Sequence, residues 1–233
     1  MEIMPQRSDI EVVVFDVLGT LVDEPTGVRS TIRDTTPQAD DAMVERLYTV
    51  WQRHREREQQ RIADGDRPYV NSGILDAEAA RCAAEQVGLD DPATVTGLAT
   101  AGWRLPPWGD SVACVERLGR HLPVLGLSNA SRATLLRLNA LAGLRWHQVL
   151  SGETVSAYKP APEVYQLAVD TAGCPPERIL MVAAHAWDLR GAQSCGMRTA
   201  YVQRPVGDPP TASDTIDWLF SGLDELVAAL LPG

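Results

Sequence analysis

The short apolar run Val12-Val13-Val14-Phe15 ends on Asp16 and is followed at once by Gly19-Thr20. A run that is apolar without alternation and rich in β-branched residues fits a strand buried on both faces, the condition inside a parallel sheet. The pattern recurs. Leu122 to Leu127 ends at Ser128-Asn129, a further region covers 148 to 152, Arg178 to Ala183 ends near His185, and Thr199 to Val202 is another run. Helix-like segments lie between them, roughly Arg132 to Leu141, Pro162 to Ala172 and Leu189 to Cys195. Strands alternating with helices predict parallel βαβ units, and hence an α/β fold with a doubly wound, Rossmann-like sheet.

The stretch from Glu24 to Pro107 has another character. Asp40 to Ile62 is highly charged, with apolar residues at Met43, Leu47, Val50 and Trp51, which is helical spacing with one buried stripe. Asp76 to Val87 reads as a second helix, with Asp76 as N-cap and Gly88 at its stop. Leu105-Pro106-Pro107-Trp108-Gly109 reads as a hinge back to the core. The expected organisation is an α/β core built from 1–23 and 108–233, with a helical insertion at 24–107.

The chain of 233 residues can hold a large domain with such an insertion. A net charge of −10 argues against a nucleic-acid partner, because binders of the phosphate backbone concentrate Lys and Arg. Cys82, Cys114, Cys174 and Cys195 are scattered without metal-ligand spacing, and are expected to be buried free thiols in a reducing compartment. The N-terminus lacks the pattern of a signal peptide, and no apolar stretch approaches the ~20 residues of a membrane span. The expected location is cytoplasmic, with no membrane partner.

Ligands of open parallel sheets sit at the carboxyl ends of the strands. Asp16, Thr20, Ser128, Asn129, Lys159 and the stretch around Asp188 should therefore converge. Taken singly, each has a bland explanation as a turn or a helix cap. Their order matters more. Phe15-Asp16-Val17-Leu18-Gly19-Thr20-Leu21, Leu127-Ser128-Asn129, Tyr158-Lys159-Pro160 and Ala186-Trp187-Asp188 resemble the four ordered motifs of the haloacid dehalogenase superfamily. The resemblance covers nearly the whole chain and implies that 24–107 is a helical cap.

Two positions discriminate between branches. Phosphatases of the superfamily typically carry a second Asp, a general acid, where this chain has Leu18, and a further carboxylate near Mg²⁺ where it has Ala184. A hard divalent ion needs several oxygen ligands, so the phosphatase reading is weakened. The combination of Leu18, Tyr158-Lys159-Pro160 with Val164-Tyr165, and Ala186-Trp187-Asp188 is similar to the 2-haloacid dehalogenase branch, which needs no metal or other cofactor.

That similarity implies a reaction on a small halogenated carboxylate. Asp16 would displace halide to form an ester, and water would then release the 2-hydroxy acid. Lys159 would keep Asp16 ionised, and Asp188 would hold Lys159 and help orient the water. Thr20 and Ser128 would hydrogen-bond the nucleophile or the substrate carboxylate, and Tyr165 would support Lys159. Asn129 and a cap arginine would receive the halide. Trp51-Gln52-Arg53 resembles the family's tryptophan-and-arginine helix and favours Arg53, with Arg55 and Arg57 close by. Trp187 would wall the pocket and exclude water.

The chain departs from the family at Ala183 and His185, where Ser and Asn are typical. Their loss bears on the second half-reaction. His185 is a candidate water contact, halide contact or base near neutral pH, and equally a structural histidine on a backbone carbonyl. Two other readings stay open: a phosphatase of this fold with an altered metal site, and a binding protein that has lost efficient hydrolysis. A homodimer is plausible from the resemblance alone.

Overall fold

The computed structural model describes residues 9–89 and 91–231. Six parallel strands form the sheet: β1 (Val12–Asp16), β2 (Val124–Ser128), β3 (Gln148–Ser151), β4 (Ile179–Ala183), β5 (Arg198–Val202) and β6 (Trp218–Phe220). Their order, β3-β2-β1-β4-β5-β6, puts β1 and β4 side by side in the middle. Each pair is parallel, with Val13 opposite Val124 on one side of β1 and Val12 opposite Ile179 on the other. This is the expected α/β architecture.

The unbroken apolar runs have a direct cause. In β1, Val13 and Phe15 face one apolar cluster while Val12 and Val14 face another, because successive strand residues point to opposite sides. Leu180 and Val182 of β4 divide from Ile179, Met181 and Ala183 in the same way. One face is covered by α7 (Pro162–Ala172) and α8 (Ala186–Ser194) through Val164, Tyr165, Ala168, Leu189 and Ala192. The other carries α5 (Ser111–Gly119), α6 (Arg132–Ala142) and α9 (Leu223–Leu230).

Among the described residues, four α-helices stand between β1 and α5: α1 (Glu24–Thr35), α2 (Asp41–Ala63), α3 (Ser72–Gln86) and α4 (Pro92–Ala99). The segments that connect them to the sheet run side by side. Asp23 N–H donates to Pro106 C=O at 2.8 Å, and Trp108 N–H donates to Leu21 C=O at 3.1 Å. Helix α2 starts at Asp40, whose side chain caps Met43 N–H at 2.8 Å. The centre of its buried face is Val44, Leu47, Tyr48 and Trp51, while Met43 and Val50 flank it and are half-buried.

Helix α3 corrects the sequence reading. Asn71, not Asp76, is the N-cap, and its side chain accepts from Ile74 N–H. An Asp ahead of an apolar run looks like a cap, but here the preceding Asn71-Ser72 supplies it, and Asp76 turns inward as the buried partner of Arg55. Helix α8 likewise begins three residues before the expected Leu189, so only Ala184 and His185 separate it from β4. The thiol expectation holds for Cys114 alone, since Cys82, Cys174 and Cys195 are half-buried; all four are free. No helix among the described residues is long and apolar enough to cross a membrane.

Candidate active site

Asp16 is the last residue of central β1, so its carboxylate emerges at the carboxyl edge of the sheet, and it is only 6% exposed. Both of its oxygens have donors. The Thr20 hydroxyl donates to Oδ2 at 2.6 Å, and Thr20 Oγ1 in turn accepts from Ala184 N–H at 2.9 Å. Lys159 Nζ lies 3.0 Å from Oδ1. Gly19, between the strand and Thr20, has φ +82°, a left-handed turn that glycine tolerates without steric cost.

Lys159 bridges two carboxylates, reaching Asp188 Oδ2 at 2.7 Å as well as Asp16. Burial by itself disfavours its ammonium form, but Asp16 and Asp188 outweigh that and hold its pKa above the ordinary lysine value. Asp188 is fully buried in the first turn of α8, and its other oxygen accepts from the Tyr165 hydroxyl at 2.6 Å. Burial pushes the Asp188 carboxyl up, against the pull of Lys159. Asn129 fixes the loop that carries the lysine: its Oδ1 accepts from Lys159 N–H at 2.7 Å, and its Nδ2 donates to Lys159 C=O at 3.4 Å. The result is a continuous polar line, Tyr165–Asp188–Lys159–Asp16–Thr20, drawn from β1, the turn after it, the 159 loop, α7 and α8.

A cavity of about 330 Å³ opens above Asp16. Its floor is Asp16, Ser128, Asn129 and Lys159, and its walls include Leu18, Gly19, His185, Trp187 and Val206. The roof comes from α2, through Tyr48, Gln52, Arg55, Glu56 and Gln59, and from Glu24 and Pro25 at the start of α1. Ser128 is buried, and its Oγ accepts from Ala130 N–H at 3.1 Å.

Asp16, Leu18, Ser128, Asn129, Lys159, His185 and Trp187 therefore meet at one cavity, with Thr20 packed directly behind Asp16. Arg53 does not join them. It is exposed and borders a separate groove with Glu45, Thr49 and Gln86. The reason is helical geometry: positions 48, 52, 55, 56 and 59 of α2 share the face over Asp16, and Arg53 points about 100° away from Gln52. Arg57 is exposed too, and pairs with Glu58.

Arg55 is the arginine of the roof. Its Nη1 meets Glu24 Oε1 at 2.8 Å, its Nε meets Asp76 Oδ1 at 2.7 Å, and its guanidinium lies 4.3 Å from the centre of the Trp51 ring. Burial opposes its charge, but Asp76 and Glu24 hold its pKa above the ordinary arginine value. Burial pushes Asp76 up to about 6, against the pull of Arg55.

Tyr165 also differs from expectation. It is wholly buried and lies outside the cavity lining, supporting Lys159 through its bond to Asp188. Asp188 likewise stays behind Lys159, out of the lining. The sequence reading missed Tyr48, Gln52, Gln59, Glu24 and Val206. The first three are legible in principle, because they fall at i, i+4 and i+11 on α2, one face of a helix. Val206 sits in a loop tied back to Ala184 by Asp208 N–H donating to Ala184 C=O at 2.8 Å, which no local pattern announces.

A parallel α/β sheet whose central strand presents a buried aspartate to a lysine–aspartate pair, beneath a helical roof, is the arrangement of a hydrolase that works through a carboxylate. The sequence profile of the haloacid dehalogenase-like hydrolases matches residues 10–196, and the chain belongs to that family. It is 30% identical over 227 residues to the (S)-2-haloacid dehalogenase of Pseudomonas sp. (strain YL), covering 94% of this chain and 93% of that one. A crystal structure of a defluorinating L-2-haloacid dehalogenase superposes with a TM-score of 0.87 at 26% identity, covering 98% of this chain and 99% of the other. The L-2-haloacid dehalogenase of Xanthobacter autotrophicus, solved with chloropropionic acid covalently bound, gives 0.78 at 26% identity, with 94% and 97% covered.

Proposed function

We propose that this chain cleaves the carbon–halogen bond of short 2-haloacids, releasing halide and the 2-hydroxy acid through an ester on Asp16. The observation that carries the reading is the cation between Asp16 and Asp188: it is the ammonium of Lys159, at 3.0 and 2.7 Å. A carboxylate so held is positioned to attack carbon. At position 18, where phosphate transfer would need a proton donor, the cavity wall is the side chain of Leu18. At position 184 an alanine offers no side-chain ligand; its N–H donates to Thr20 and its C=O accepts from Asp208 N–H.

In the first step a carboxylate oxygen of Asp16 forms a bond to the substrate α-carbon as the carbon–halogen bond breaks, and halide leaves with the bonding electron pair. The carbonyl oxygen of the new ester keeps a donor, since Thr20 and Lys159 each serve one oxygen of Asp16. In the second step water adds to the ester carbonyl carbon, and the oxygen–carbonyl bond breaks to free the hydroxy acid. Arg55, with Ser128 and Asn129 on the opposite side of the cavity, supplies donors for halide and substrate carboxylate. The relatives' names carry the S configuration, so S substrates are the first to try. We also assign residues 24–107 as a cap whose α2 face closes the cavity.

A single turnover in H₂¹⁸O with enzyme in excess over (S)-2-chloropropionate tests the ester. Hydrolysis at the carbonyl places the label in the peptide containing Asp16 and leaves the first-turnover lactate unlabelled. Label in lactate and none in the peptide would mean direct attack by water and would sink the proposed mechanism.

A further inference from the structure

We infer that His185 is the general base of the second half-reaction, taking the proton from the water that hydrolyses the Asp16 ester; the inference rests on the dehalogenation proposed above and deepens it. The step needs a group that can accept a proton and that reaches the cavity. Asp188 does not qualify: it is fully buried behind Lys159, and its two oxygens are held by Lys159 and the Tyr165 hydroxyl. Lys159 is held in its charged form by two carboxylates and has no lone pair to offer. Glu24 is paired with Arg55, and Glu56 accepts from Gln52.

His185 stands apart from these. It lines the cavity with Asp16, and none of its ring nitrogens has a hydrogen-bond or ion-pair partner among the described residues. Its ring is nevertheless held in place. It stacks on Trp187 at 5.9 Å between centroids and 26° between planes, and its backbone pairs with Asp208. Nε2 lies 2.6 Å from where a Cβ on Gly19 would stand, so the imidazole is packed against the turn that follows the nucleophile. An oriented imidazole whose nitrogens are not spent on the protein is what a water-activating base requires.

The step balances without another reagent. A water O–H bond breaks and its proton passes to the imidazole as the water oxygen bonds to Cγ of Asp16. The tetrahedral intermediate collapses with loss of the alkoxide, which takes the proton back from the imidazolium. The carboxylic acid left on Asp16 then ionises to solvent. Halide has already left, so His185 has no part in the first step.

The test follows halide release and the intact protein mass through the first turnover of (S)-2-chloropropionate, for wild type, His185→Ala and His185→Asn. Both variants should release the first halide per site at the wild-type single-turnover rate, as a burst. Both should then turn over at least about 100-fold more slowly, with the ester accumulating on Asp16. Added imidazole should speed breakdown of the ester in His185→Ala. His185→Asn turning over within about threefold of wild type would overturn the inference, because asparagine can place a water but cannot take its proton. A burst slowed as much as turnover would overturn it too, by assigning His185 to alkylation or to the fold. Absence of any halide release from wild type is a separate result that removes the dehalogenase reading, and this inference with it.

Discussion

Arg53 and Arg55 sit two positions apart on α2 and meet different surroundings. Arg53 is exposed above an outer groove, whereas Arg55 enters the cavity roof between Glu24 and Asp76. Arg55→Ala should lower kcat/KM by roughly 10- to 100-fold, the worth of a charge-assisted hydrogen bond to an anion. Arg53→Ala should stay within about twofold in the same halide-release assay. Asp76 gives a pH signature. Its folded pKa of about 6 lies above the ordinary aspartate value. The unfolded chain therefore gives up this proton near pH 4, and the folded protein only near pH 6. Between these values the unfolded state binds fewer protons, so the contribution of Asp76 to stability is full below about pH 4 and is lost as pH rises to 6. Urea unfolding of wild type and Asp76→Asn should show wild type losing ground to the variant across that window, by on the order of 3 kcal/mol. A constant difference between the two would contradict the assignment.

At the scale of elements, the polar line depends on close approach between α7 and α8. Gly191 of α8 leaves room for Tyr165 of α7: a Cβ there would stand 2.4 Å from the tyrosine hydroxyl oxygen. Gly191→Ala must displace Tyr165 from Asp188, so it should destabilise the protein by about 1–3 kcal/mol and lower kcat, as measured by thermal melting and steady-state halide release. The same elements show what a sequence makes legible. β1, β2, β4 and β5 were placed to within two residues, because strands buried on both faces are apolar at every position. β6 escaped, being three residues at the sheet edge with Leu219 exposed. Helix α1 also escaped, because Pro25 and Gly27 interrupt the pattern that would announce a helix. Proline suits a first turn, and Gly27 is there because a Cβ would come within 2.9 Å of the backbone of Leu105 in the returning segment. Asp16, Lys159 and Asp188 are legible because they end or follow the predicted strands and fall in four ordered motifs. The arginine is not, because resemblance located the helix and only its phase decides which residue looks down.

For the whole molecule, the site lies where two packing systems meet. The sheet holds Asp16 rigidly between apolar layers, while α2 and the start of α1 bring Arg55 and the roof from the helical insertion. Arg204 ties the core together around the nucleophile turn: its Nε donates to Thr20 C=O at 2.9 Å, and its guanidinium grips Asp110 with contacts of 3.0 and 2.8 Å. Asp110 also accepts from Leu223 N–H at the start of α9. The charge that neutralises Asp16 is thus supplied by the chain itself through Lys159. The direct test of that claim is halide release and phosphate release measured side by side, with and without EDTA, on (S)-2-chloropropionate and p-nitrophenyl phosphate, with Asp16→Asn as control. The account predicts halide release that EDTA leaves unchanged and that vanishes in Asp16→Asn. Magnesium-dependent phosphate release without halide would contradict it.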